Sequence, residues 1–558
     1  MLTGLTCFLK QGAKRMRKTV FLTAVMLIAF SRASAQQQPR QSIHYQPGDW
    51  ITYTSFRNVT SVAEGNQYIY FGTTGGITRF HIYQRTWDEP LTRSDGLPSG
   101  RITAVAFDKS TGLLWCSDGR YLCYFLTAAR EWRIIDLEIY GVSRASRLGV
   151  GDTGMWAVSD RGILSIDSFG GYLELSSSEK AAGDNVHWFS VQGSRQRDEW
   201  PQYFMEDGFR FLPGGIIQDR YFQEFPIVTW AADQFGSMWF GTRGLGAGRI
   251  DTRSDNISLL PFGPYTLSVS AMAWDPDGMW IGGLENSPQR SGITFWNMAE
   301  NTWQYFQPRV IRGLESTRIH SICVSGWHVW FATDQGLVGF DRKNDSWRTY
   351  HVQDNLWSDS INYLVPDGST VWVATDAGLN RIDTETLNIE RVQDEVLRHR
   401  YVFCVEGTPE AVYAGTDRGI MRMERKTGKW MYVPGSPSMP VLDVYAISVW
   451  NEEVWFGTDS GAAVFNEKTG EWKTFLPQHH PVGTGVNTIL ADSMNVWFGT
   501  DSGVLKYIKN EDRWFSYTKE DGLAGSRVLW ILLDGDYIWF GTDRGLTKFF
   551  WNAPYRID

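Results

Sequence analysis

Three dipeptides place a guanidinium beside a carboxylate in what reads as a tight turn: Asp160-Arg161, Asp417-Arg418 and Asp543-Arg544. An arginine fork in such a turn can grip a carboxylate or a sugar hydroxyl through paired N–H donors. Three further acids, Asp95, Asp354 and Asp521, sit in the loops that precede a new repeat and offer acceptors on the same face. Short acids in such places also cap turns through their own backbone, and both readings stand at this point. Trp327 and Trp357 lie beside turns, outside the regular tryptophan positions described below, where a flat ring can stack on a ligand. The pair His479-His480 could ligate a metal, but sequence neighbours rarely point at one ion without a third ligand. No metal or other cofactor is therefore expected. The chain has no Gly-x-Ser-x-Gly elbow, no His-Glu-x-x-His and no phosphate loop, and no catalytic residue is assigned.

A repeat must position these side chains. The segments VWFATDQGLVGFD, VWVATDAGLNRID, VYAGTDRGIMRME, VWFGTDSGAAVFN, VWFGTDSGVLKYI and IWFGTDRGLTKFF recur along the C-terminal half. Their anchors Trp330, Trp372, Tyr413, Trp455, Trp497 and Trp539 are spaced by 42, 41, 42, 42 and 42 residues. Earlier anchors are Tyr70, Trp115, Trp156, Trp239 and Trp280; the 83-residue step between Trp156 and Trp239 is two periods. The segment Tyr203 to Phe211 fits that gap, which makes twelve repeats. A period near 42 with four short strands per unit predicts propeller blades. Seventeen of the 27 tryptophans fall at the second-strand or fourth-strand position. A position repeated in every blade reads as packing between sheets rather than as a sugar platform.

Trp50-Ile51-Thr52-Tyr53 matches the fourth-strand pattern of Trp347-Arg348-Thr349-Tyr350 but has no three strands before it. The last repeat has three strands and no fourth. The spacing therefore predicts an all-β protein of twelve four-stranded blades in two β-propellers, the N-terminal strand completing the last blade. One ring is expected to be discontinuous, built from about 50–200 plus the C-terminal blades, with the other inserted.

Residues 1–35 read as a signal peptide, with a native start at Met16: Arg17 and Lys18 precede the apolar run Val20 to Phe30, and Ala33-Ser34-Ala35 follows as a cleavage site. The run is too short for an ordinary membrane span, so a periplasmic or secreted protein with no transmembrane segment after cleavage is expected. Formal charge is −9 overall and −15 on residues 36–558, once the six basic residues of the leader are set aside. So acidic a body is poorly suited to a phosphate backbone, and nucleic acid is not an expected partner. Four cysteines remain after the leader (Cys116, Cys123, Cys323 and Cys404), too few for a disulfide scaffold.

The Trp-Phe-Gly-Thr-Asp-x-Gly-Leu core, with upstream loops such as Asp95-Gly96-Leu97-Pro98-Ser99 and Asp521-Gly522-Leu523-Ala524-Gly525, resembles the two-component regulator propeller repeat family. The resemblance covers nearly the whole chain after the leader. It implies kinship with the periplasmic propeller sensor region of bacterial hybrid two-component systems, where paired propellers bind glycan fragments. It is similar, too, to propeller proteins of a bacterial secretion and surface-attachment apparatus. No kinase or DNA-binding region follows the repeats here. The function expected is thus an exported, non-catalytic propeller that recognises an oligosaccharide or an envelope protein without a signalling output of its own. The alternatives are a scaffold component of an envelope or secretion assembly, and a propeller lyase or hydrolase acting on a polysaccharide or lactone.

Overall fold

The repeating Thr-Asp-x-Gly motif is a hairpin with a built-in latch. In the computed structural model the Thr375 hydroxyl donates to the Gly378 carbonyl at 2.8 Å and accepts from the Ala377 N–H at 3.1 Å. The same pair of bonds recurs at Thr333, Thr416, Thr458, Thr500 and Thr542. Gly378 closes the turn at φ 142°, which glycine adopts without strain. Each latch joins the second and third strands of one sheet, as in Thr370–Thr375 and Gly378–Asp383.

The structure describes residues 45–167, 173–189, 204–205, 208–285, 291–308, 311–434, 443–478, 480–482, 485–556 and 558. The leader lies outside them. The described residues are 54% strand and 3% helix, an all-β fold. Tyr45 and Gln46 belong with the described residues from Asn552 to Asp558 to a small unit, in which the Arg556 guanidinium pairs with Asp558 at 3.0 Å and lies 5.4 Å from the Tyr45 ring centre. Residues 47–551 form the other unit and hold every sheet discussed below.

Seven sheets of this unit are regular four-stranded meanders. Their innermost strands are Ala271–Asp275, Ile319–Ser325, Ile361–Asp367, Val402–Gly407, Val444–Trp450, Val486–Ala491 and Val528–Asp534. Each innermost strand packs on the next, and the last packs on the first, so the order is closed. The seventh sheet takes its outer strand from the other end of the chain: Trp50–Tyr53 pairs antiparallel with Gly545–Phe550, Trp50 opposite Phe549. Sequence analysis expected that closure, and it places the two rings 3.8 Å apart in a stack.

Four more sheets lie between Trp50–Tyr53 and this set, with inner strands Val59–Glu64, Ala104–Asp108, Ala145–Val150 and Glu224–Ala232. The sequence reading groups about 50–200 with the C-terminal blades. Of that stretch only Trp50–Tyr53 pairs into a C-terminal sheet, and the segment around residues 59–260 is what the large set encloses in sequence. Twelve blades are expected from the sequence; the described residues form eleven sheets. Phe204–Met205 joins the outer strand Asn256–Leu260 in parallel, and the hairpin of Arg210–Leu212 with Ile216–Gln218 extends the inner edge of Glu224–Ala232.

The tryptophans are packing elements. All nine at the second-strand position are at most 5% exposed. Several indoles donate to an acid in the preceding turn: Trp239 to Asp233 at 2.8 Å, Trp280 to Asp275 at 3.1 Å, Trp372 to Asp367 at 2.8 Å and Trp539 to Asp534 at 3.2 Å. In three cases a cation from the following sheet reaches the same acceptor. Arg342 binds Asp275 at 2.9 Å, Arg425 binds Asp367 at 2.8 Å and Lys509 binds Glu453 at 2.6 Å. These acids tie one sheet to the next. The four described cysteines of the body are free and buried, Cys116 and Cys123 directly opposite each other in a hairpin.

Candidate functional site

The second-to-third turns and the loops that enter each new blade lie at the same end of the strands, so their side chains converge. A depression there has a volume of ≈ 790 Å³. Its floor is the connection from Tyr53 to Val59, the link between the seventh sheet and the inserted sheets. Thr54 donates to the Gly75 carbonyl at 3.1 Å, and the Arg57 carbonyl accepts from Gly244 and Gly246 at 2.9 Å. The Arg57 guanidinium lies 3.7 Å over the ring of Tyr265, a cation–π contact in a buried place.

The walls come from both sets of sheets. Arg93 and Arg101 stand on the loop after the first inserted sheet, Arg243 on a turn of the fourth, and Lys519 and Arg544 on the seventh-sheet side. With Arg57, six basic side chains line the cleft against two acids, Glu224 and Glu285. One of those acids is already used: Glu285 accepts from the Leu267 N–H at 3.0 Å. Among the described residues Arg93, Arg101, Arg243, Lys519 and Arg544 have no carboxylate in ion-pairing range, and all five are exposed. Hydroxyls of Thr54, Ser55, Thr74 and Ser94 fill the spaces between them. On a chain of net charge −9 this is a local reversal of sign. Five unpaired cations within one cleft raise the local concentration of anions, and guanidinium forks bind carboxylate, phosphate or sulfate in paired geometry.

The residues nominated from sequence are distributed unevenly about this site. Arg544 lines it. Asp95 and Asp521 belong to its loops, but their carboxylates are spent on the backbone: Asp95 accepts from Thr92 N–H at 2.9 Å and Asp521 from Thr518 N–H at 2.8 Å. Burial pushes the Asp95 carboxyl up to about 6 against that bond. Asp354 does the same for His351 N–H at 2.9 Å and also meets Arg348 at 3.1 Å, well along the ring. The paired turn acids also serve neighbouring loops. Asp160 accepts from Ser143 and Arg144, and Asp543 accepts from Arg527 N–H at 3.2 Å. Arg161 is exposed on a turn of the third inserted sheet. Arg418 lines a separate shallow depression with Arg400, Glu395 and Tyr432.

Trp327 is 65% exposed on a first-to-second turn, at the other end of the strands from the cleft. Trp357 is half-buried against Gly378, with Arg391 5.0 Å from its ring centre. His480 packs on Phe475 and Trp514, and His479 lies outside the described residues. No group of three His, Cys, Asp or Glu among the described residues could hold a metal ion. Sequence reasoning missed Arg57, Arg93, Arg101, Arg243 and Lys519. Their only common signal is position at blade boundaries, which becomes a cluster once the inserted sheets are placed.

No family model matches the chain, and no curated protein matches it. Solved structures do. PorZ, described as an essential bacterial surface component of the type-IX secretion system of Porphyromonas gingivalis, is similar over 90% of this chain and 87% of its own, with 13% identity and a TM-score of 0.58. Two extracellular domains of hybrid two-component systems from B. thetaiotaomicron align over 89% and 92% of this chain and 70% and 76% of theirs, with 15% and 14% identity and a TM-score of 0.44 each. At such identity the likeness to PorZ fixes the fold, a β-propeller architecture. No helix among the described residues is long and apolar enough to cross a membrane.

Proposed function

We propose that this protein is an exported binding protein built from two propellers, a seven-sheet ring and an inserted ring within residues 59–260, that holds an anionic ligand in the cleft between them. The carrying observation is the set of five exposed, unpaired cations around a ≈ 790 Å³ cleft on an otherwise acidic chain. Hydroxyl and backbone donors beside the guanidinium groups suit a ligand with oxygens at several points, such as an acidic oligosaccharide. Export follows from the leader read in the sequence and accords with PorZ being a surface component. If the anionic group belongs to a fixed envelope structure, the same cleft serves as an attachment point, and binding and scaffolding are then one activity.

The test is equilibrium binding of uronate-bearing, phosphorylated and sulfated oligosaccharides, with their uncharged counterparts as controls. Replacing Arg243 and Arg544 together by Ala should weaken binding by at least tenfold, at about 1 kcal/mol or more for each charge-assisted bond lost. Equal affinity for charged and uncharged ligands would overturn the reading.

A further inference from the structure

The seven-sheet ring carries a second depression, of ≈ 620 Å³, at the mouth of its axis on the same face as the turns. It is distinct in chemistry from the cationic cleft, and the inference drawn from it does not depend on that cleft. Its wall is aromatic. Phe403 lies 4.6 Å from Tyr401 and 4.8 Å from Tyr445, centre to centre, and both tyrosines are exposed, at 38% and 36%. Tyr363 and Trp530, 5.7 Å apart, continue the wall inward.

The phenol and amide donors of this wall are spent on the protein. Tyr401 donates to Asn362 Oδ1 at 3.3 Å, and Tyr445 to Asp443 at 3.2 Å. The Asn362 amide donates to the Val402 carbonyl, and the Asn487 amide to Asp501 and the Val528 carbonyl. Arg527 is neutralised by Asp501 at 3.0 Å, and burial holds His320 below its ordinary pKa, so it adds no charge at neutral pH. The carboxylates are only partly used. Asp443 accepts from Tyr445, the Asp459 carboxylate accepts from its neighbour Ser460 at 3.1 Å, and neither has a cation in ion-pairing range among the described residues. Open π faces, with carboxylates beside them and little to donate, match a group that only donates.

We propose that the axial mouth receives a basic side chain, lysine or arginine, presented by a partner protein. Size of effect separates this from capture of a free amine. A cation–π contact contributes about 0.5–2 kcal/mol and an exposed ion pair about 1 kcal/mol or less, which alone gives only millimolar binding or weaker. A cation seated here gains useful affinity when a larger surface carries it in.

The experiment uses the full chain and four probes: an acetylated Gly-Gly-Arg-Gly-Arg-Gly-Gly peptide, its lysine counterpart, spermidine and cellotetraose. Binding is read by titration calorimetry. The expected result is binding by at least one basic peptide, weakened about threefold to fivefold by Asp459→Asn, the scale of an exposed ion pair, weakened also by Tyr445→Ala, and unchanged by Arg544→Ala. Asp459→Asn keeps the shape of the mouth, so it decides the matter even if Tyr445→Ala disturbs the fold. Absence of peptide binding at about 10 mM, near the affinity that about 3 kcal/mol of contact gives, overturns the proposal. So does peptide binding that Asp459→Asn leaves unweakened, spermidine binding as tightly as the peptides, or cellotetraose displacing them.

Discussion

Asp367 is the point at which two neighbouring sheets depend on one carboxylate. It accepts from the Trp372 indole at 2.8 Å and from both ends of the Arg425 guanidinium at 2.8 and 3.1 Å. The pair is mostly shielded, with side-chain exposures of 24% for Asp367 and 31% for Arg425. Replacing Asp367 by Ala leaves an indole N–H and a guanidinium without their acceptor. Hydrogen bonds to charged groups contribute about 1.5–3 kcal/mol each, and a partly exposed ion pair recovers some of that from water, so we expect a loss of about 3 kcal/mol. For a unit this large that corresponds to a fall in Tm of about 3 °C. The pH dependence has a definite sign. Burial acts to raise the Asp367 pKa, but the bonds from Arg425 and Trp372 outweigh it and hold the carboxyl below its ordinary value. Its stabilisation is therefore present above the unfolded-state pKa of about 3.9 and is lost as pH falls through the lower folded-state value. Scanning calorimetry of both proteins at pH 7 and near pH 3 should show the gap narrowing in acid. A gap below about 1 °C at pH 7 would refute the reasoning, since it lies under the worth of one such bond, and so would a gap of constant size down to pH 3.

Other perturbations have equally definite outcomes. Burial raises Asp95 to about 6, so ionising it costs stability as pH rises between the unfolded and folded values; Asp95→Asn keeps an acceptor for Thr92 and should gain on the parent protein by about 2 kcal/mol between pH 4 and 7, read from urea midpoints. The same sign applies to Glu406, which burial pushes up to about 7, so Glu406→Gln should gain most above pH 7. Gly378→Ala forces a side chain to φ 142° with its Cβ 3.0 Å from Trp357, and a loss of about 1–3 kcal/mol is expected in the same assay. Trp327→Ala, at a side chain that is 65% exposed, should leave the midpoint within about 0.5 kcal/mol.

Most of the fold was legible because each blade repeats the same local solution. The Thr-Asp-x-Gly latch and the buried second-strand tryptophan satisfy polar groups and fill space within about 42 residues, so the pattern is complete in the sequence alone. Trp50–Tyr53 was recognisable as a displaced fourth strand for the same reason. The Tyr203 to Phe211 stretch was harder to place, because a hairpin carries the same alternation whether it opens a new sheet or extends an old one; Arg210–Leu212 pairs with Ile216–Gln218 and through it with Glu224–Ala232. The site was less legible still. Asp95, Asp354 and Asp521 stand out by position, yet they hold backbone N–H groups, a role that sequence cannot distinguish from ligand binding. Arg93, Arg243 and Arg544 are far apart in the chain and become neighbours only through the insertion of one set of sheets into the other. The inter-sheet cations Arg342, Arg425 and Lys509 were legible in principle: each directly follows a third strand, 67, 58 and 56 residues after the acid it meets.

The central claim is that the cleft between the two sets of sheets binds an anion. The most direct measurement is the affinity of the full chain for a uronate-bearing oligosaccharide, compared with its carboxyl-reduced counterpart, across salt concentrations. The account predicts binding that requires the carboxylates, weakens steeply with salt as exposed cations are screened, and falls at least tenfold in the Arg243→Ala, Arg544→Ala double variant. Binding that ignores both the carboxylates and the two arginines, or no binding to uronate, phosphorylated and sulfated ligands alike, would contradict it.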